Sequence, residues 1–91
     1  MKVYISGKIT GLEGYKEMFG EAEAMLLGEG YVVMNPSVLP FGFDYDDYMH
    51  ISYAMIDVCD AVYFLRNWKD SKGAILEYRY AVKKGKKIIF Q

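Results

Sequence analysis

Ala61-Val62-Tyr63-Phe64-Leu65 runs five residues without a polar side chain. A strand with one wet face alternates apolar and polar residues, so this run reads as a strand covered on both faces. Three further β-like segments stand around it: Lys2 to Ser6 (KVYIS), Tyr31 to Met34 (YVVM) and Lys87 to Phe90 (KIIF). Helical patterns fill the gaps. Tyr15 to Leu27 repeats Tyr15, Phe19, Ala22 and Leu26 on one side and turns Lys16, Glu17, Glu21 and Glu23 away. Asp44, Asp46 and Asp47 supply a cap and an acidic first turn for a second helix reaching about Val58. Asp70 or Ser71 can cap a third, with Ile75, Tyr78, Ala81 and Val82 as its apolar stripe. Gly28 and Gly30 are placed to stop the first helix, and Gly85 the third.

Strands alternating with helices across short connections predict right-handed crossovers and a mostly parallel sheet. The expected fold is therefore α/β: a small Rossmann-like, flavodoxin-like, three-layer α/β/α domain. It has about four strands and three helices and spans residues 1–91 as one unit. Ligands of such sheets bind beyond the carboxyl ends of the strands, near the switch in strand order. That selects three loops, Gly7 to Gly14, Asn35 to Phe43 and Arg66 to Gly73.

Composition narrows the partners. A net charge of -1 gives no reason to expect a nucleic-acid polymer. The run Lys83, Lys84, Lys86, Lys87 falls where a helix should end, and cations there suit the helix dipole. One cysteine, Cys59, and one histidine are too few for a zinc-type cluster, so no metal is expected. No stretch is apolar and long enough to span a membrane, and the start runs straight into a strand pattern, which reads most simply as a cytoplasmic protein. Nine tyrosines in 91 residues exceed what so small an interior can hide. The surplus fits a subunit interface or a ligand pocket, or tyrosines lying half-buried along helices.

The first loop, Ser6-Gly7-Lys8-Ile9-Thr10-Gly11-Leu12-Glu13-Gly14, holds three glycines, one cation and two hydroxyls. Backbone amides there can approach an anion, yet the pattern is neither the dinucleotide fingerprint nor a P-loop. A plain turn into a helix explains it equally well. In the third loop Ser71 stands at a helix start, where free amides attract anions, or is merely its cap. Trp68 either stacks on a base or covers the edge of the core. Glu77 is an ordinary surface glutamate by type, but Ala74, Tyr78 and Ala81 lie near its side of the helix and can draw it inward. A carboxylate near an apolar face needs partners.

Tyr4-Ile5-Ser6-Gly7-Lys8-Ile9-Thr10-Gly11, then Asp60, then Ser71-Lys72-Gly73-Ala74-Ile75-Leu76-Glu77 occur in order and at suitable separations. Together they resemble the nucleoside 2-deoxyribosyltransferase superfamily, which includes deoxynucleoside 5′-monophosphate N-glycosidases. Nearly the whole chain is similar to small phage and bacterial proteins known only as a domain of unknown function. Asn35-Pro36, Asp47-Tyr48-Met49, Cys59-Asp60-Ala61 and Trp68 contribute to that likeness.

The resemblance implies that Glu77 attacks the anomeric carbon of a nucleoside or nucleotide and that Tyr4 positions it. It further implies that Gly7, Lys8 and Ser71 line the sugar or 5′-phosphate end. Ile9, Asn35, Ser52, Trp68 and Gly73 complete the expected substrate-binding set. No cofactor is implied, and relatives assemble as dimers or larger rings, so a homo-oligomer is expected. One departure bears on the reaction. The enzymes carry an aspartate eight residues before the position of Asp60, and Ser52 stands there. A hydroxyl cannot hold a proton for a departing base as a carboxylic acid can. Asp57 and His50 lie on other sides of that helix by the 3.6-residue period. Three readings follow. They are an N-glycosidase or deoxyribosyltransferase, a nucleotide-binding protein with little or no turnover, and an interaction module with a vestigial pocket.

Overall fold

The computed structural model describes residues 1–91. In chain order it has β1 (Lys2–Ser6), α1 (Tyr15–Gly28), β2 (Val32–Met34), α2 (Tyr45–Asp57), β3 (Ala61–Phe64), α3 (Lys72–Lys83) and β4 (Lys87–Phe90). Single 3-10 turns at Pro36–Val38 and Trp68–Asp70 interrupt two of the loops. The strands form one sheet in the order β2-β1-β3-β4, and every pairing is parallel. The direction of travel reverses after β2. Right-handed crossovers then require α1 on one face of the sheet and α2 and α3 on the other.

Strand alternation divides the interior accordingly. Val3, Ile5, Ala61, Tyr63 and Leu65 pack against Phe19, Ala22 and Leu26 of α1. Tyr4, Val62 and Phe64 face the other way, toward Ile56, Cys59 and Ala81. All four residues of β3 are buried, as a strand covered on both faces requires. No helix is long and apolar enough to cross a membrane.

Several details depart from the sequence expectation. β2 begins at Val32, one residue late, because Tyr31 still bonds back to Leu26 at the end of α1. Gly28 lies inside the last turn of α1, and Gly30, with φ of 90°, makes the left-handed exit. Glu23 does not turn fully away, since its carboxylate accepts from the Asn35 amide at 2.8 Å. The buried row of α3 is Ala74, Glu77 and Ala81, while Val82 is 53% exposed. The helix is rolled so that its glutamate, and not its valine, meets the sheet.

Candidate functional site

Because side chains alternate along a strand, Tyr4 and Ser6 point to the same face of β1, the face that α3 covers. Glu77 sits in the second turn of α3 and reaches down between them. The Tyr4 phenol donates to Glu77 Oε2 at 3.0 Å, and Ser6 Oγ donates to Oε1 at 2.6 Å. Glu77 is only 7% exposed. A carboxylate so placed would be costly without donors, and each of its oxygens has one.

Burial raises the Glu77 pKa above its usual 4.5, while the hydroxyls of Ser6, Tyr4 and Ser52 pull the other way by favouring the charged form. Burial, and then the charge of Glu77, push the Tyr4 phenol well above its ordinary value. Tyr4 therefore remains a neutral, permanent donor. The group can act as a hydrogen-bonded carboxylate nucleophile or as an acid and base, in a setting where neither charge nor proton is held loosely.

Glu77 forms part of the wall of a cavity of about 730 Å³. That volume suits a small organic ligand. The loop after β1 supplies Gly7 and the stretch from Ile9 to Gly14, and the loop after β2 supplies Pro36, Ser37 and Leu39 to Phe41. α2 adds Tyr45, Tyr48, Met49 and Ser52, and the start of α3 adds Ser71, Gly73 and Ala74. Tyr45, Met49 and Ser52 are spaced i, i+4, i+7, one face of a helix. Asp47 fixes the beginning of α2 by accepting from the Asp44 amide at 3.1 Å. Ser71 Oγ caps α3 by accepting from the Ala74 amide at 3.1 Å.

Of the wall glycines Gly7 and Gly73, only Gly7 has a steric reason, and Gly73 has room for a Cβ at ordinary contact distance. A Cβ on Gly7 would lie 2.8 Å from Leu65 Cδ1, and one on Gly73 would sit 3.5 Å from Met49 Sδ and 3.6 Å from the Tyr45 hydroxyl. Gly7 thus lets the loop close onto β3 before any question of an anion arises. No three His, Cys, Asp or Glu side chains come together, so no metal-ligating set is offered.

Of the residues selected from the sequence, Tyr4, Gly7, Ile9, Ser52, Ser71, Gly73 and Glu77 meet around this cavity. Three do not line it. The Lys8 amide donates to Asn67 Oδ1 at 3.0 Å, tying the loop to the segment after β3. Asn35 is occupied as a cap, its Oδ1 accepting from the Ser37 amide at 2.9 Å and its Nδ2 donating to Glu23. Trp68 stacks on Tyr78 with ring centres 4.9 Å apart and lies against Phe64 and Phe90. It covers the edge of the core on the opposite flank of α3.

Asp60, part of the motif pattern, sits at the amino end of β3, where its carboxylate accepts from the Lys2 amide at 2.8 Å. Its work is to join two strands. Sequence reasoning misses Ser6 as a partner of Glu77, although its two-residue spacing from Tyr4 puts it on the same face of β1. The α2 face of Tyr45 and Met49 was equally readable from its spacing with Ser52.

The family model described as "Domain of unknown function (DUF4406)" matches residues 1–90. Among solved structures, the chain is similar to a 2-desoxiribosyltransferase from Leishmania mexicana. The TM-score is 0.77 at 20% identity, over 98% of this chain and 62% of that one. The likeness establishes the fold, and the chain spans under two thirds of that protein's length. No curated protein matches by sequence.

Proposed function

The chain belongs to the DUF4406 family, and we propose that it acts at the N-glycosidic bond of a nucleoside or nucleotide with Glu77 as nucleophile. The observation that carries this reading is the buried Glu77 carboxylate, held by Tyr4 and Ser6 at the wall of a partly open cavity. The shared fold with a 2-desoxiribosyltransferase supports the ligand class.

In the first step a Glu77 oxygen bonds to C1′ as the C1′–N bond breaks, and the base leaves with the electron pair and takes up a proton. The product is a glycosyl ester on Glu77, as in retaining glycosidases. Attack on C1′ by water, which loses a proton, then frees the sugar and restores the carboxylate. Attack by a second base instead gives transfer. Tyr4 and Ser6 keep the nucleophile ionised and aimed. Gly7, Ile9, Ser71 and Gly73 line the sugar end.

Chromatographic assay of free base from deoxynucleosides and their 5′-monophosphates tests the proposal. Release is expected from wild type and not from Glu77→Ala. Absence of release across the panel, with clear thermal stabilisation by the same compounds, would leave the second reading, a binding protein with little turnover. Ser52, standing where a carboxylic acid would assist the leaving base, is the observation that favours that second reading. An assembly of two or more copies belongs to the proposal as well. The exposed Val38, Phe41 and Phe43 near the cavity mouth support it, and light scattering in solution checks it.

A further inference from the structure

We infer that the Glu77 site takes an uncharged nucleoside in preference to its 5′-monophosphate, an inference that rests on the proposed function. Two of the cavity-lining residues carry a formal charge, Glu13 on the loop after β1 and Glu77 in the wall, and both are acidic. Half of the lining is hydrophobic. A phosphate dianion entering this space would meet like charge and give up its hydration for apolar walls.

No lysine of the neighbouring segments is among the lining residues. Lys8 follows Gly7 directly but does not line the cavity, and its backbone is fastened to Asn67. Lys69 lies over the Trp68 ring, 5.8 Å from its centre, on the far flank of α3. Lys72 opens α3 but is exposed and outside the lining. Lys16 holds its ammonium 5.4 Å from the centre of the Phe41 ring, beside the wall and not in it.

One element favours an anion, the amino end of α3. Its field amounts to roughly half an elementary charge. Glu77, in the next turn of the same helix, offsets it with a full negative charge when ionised. The amides at that end then serve as hydrogen-bond donors to a neutral hydroxyl group as well as to phosphate. Phe41 (76% exposed) and Tyr45 present rings at the cavity where a base can stack.

The test compares 2′-deoxynucleosides with their own 5′-monophosphates, base by base. Wild type is read for base release, and its affinity for C-nucleosides and their 5′-monophosphates, whose C–C glycosidic bond is not cleaved, is read by calorimetry. Nucleosides should lead by about tenfold or more in kcat/KM and in affinity, as like-charge repulsion and the loss of phosphate hydration imply. Equal or better performance by the monophosphates overturns the inference. Should no base be released, the catalytic reading fails, yet the calorimetric ranking still decides this one. Tighter nucleoside binding upholds it, and tighter monophosphate binding, or no binding of either at millimolar concentration, overturns it. Glu13→Lys should narrow the preference by about threefold to tenfold by strengthening monophosphate binding alone. An unchanged ratio would mean that wall charge does not set the selection, and the inference would fall.

Discussion

Glu77 and Tyr78 are neighbours in the chain and lie on two different flanks of α3. On the Glu77 flank a carboxylate is buried among hydroxyls, with contacts of 2.6 and 3.0 Å, and opens to a cavity. On the Tyr78 flank four rings, Phe64, Trp68, Tyr78 and Phe90, pack with centres 4.9 to 6.3 Å apart. One side keeps polar atoms out of water, where each needs a partner. The other contributes apolar area and dispersion without such demands. The difference teaches that prominence in a sequence is no guide to chemistry. The single tryptophan packs among rings, and Ser6, one hydroxyl of a glycine-rich loop, meets the buried carboxylate.

Removing the carboxylate breaks the comparison most sharply. Glu77→Gln should lower base release by at least about 10³-fold, since the group is asked to form the covalent bond. The same variant has a signature in stability. Burial raises the folded-state pKa of Glu77 above the usual 4.5, so protonation favours the folded chain. That contribution is fully present below the ordinary carboxylate range and is lost as pH rises through the folded value. Thermal midpoints of wild type should therefore fall with rising pH in that window more steeply than those of Glu77→Gln. Parallel curves would show that Glu77 titrates alike in both states.

Trp68→Ala addresses the other flank. It should cost about 2–4 kcal/mol in denaturant unfolding through lost ring packing. Base release per folded molecule should stay at the wild-type level. A fall in KM-normalised activity with unchanged stability would put the indole in the site after all.

Ser52→Asp sharpens the polar flank by setting a second carboxylate beside Tyr4 and Glu77. Two acids so close share a proton, and the protonated one can serve the leaving base. Base release should rise about 10- to 100-fold. An unchanged rate in a folded variant would show that departure of the base needs no acid at that position.

The smallest effect is expected from the hydroxyls. Ser6→Ala removes the shorter donor, so the Glu77 pKa should rise further and the acid limb of the pH–rate profile should move to higher pH. Activity at neutral pH should fall by about threefold to tenfold, as the loss of one hydrogen bond to a charged group suggests. Tyr4→Phe should move the limb in the same direction by less, its bond being longer.

Much of the fold was legible because local rules and global packing agree. The unbroken apolar run at β3 announced burial on both faces, and β3 is central in the sheet. Acidic residues and Ser71 marked the starts of α2 and α3, where amides are unpaired. The roll of α3 was not legible. The apolar stripe read from the sequence includes Val82, but the helix turns Glu77 inward, where Tyr4 and Ser6 supply donors. Trp68 and Asn35 were ambiguous for a similar reason, since a side chain that can stack or cap does so with whatever the fold brings near. Lys8 shows the same point in the loop, where the backbone contact with Asn67 comes from a segment 59 residues away.

By itself the sequence determined what neighbours in the chain can enforce. Those features are the strand and helix periods, the caps, the parallel order that follows from alternating elements, and thus the sheet end where a ligand can bind. Tertiary structure alone decided which side chains share that space. The partners of Glu77 lie 71 and 73 residues away, and no local period encodes such a meeting. It depends on the reversal of strand order after β2, which brings α3 over β1, and on the need of a buried carboxylate for donors once it is there.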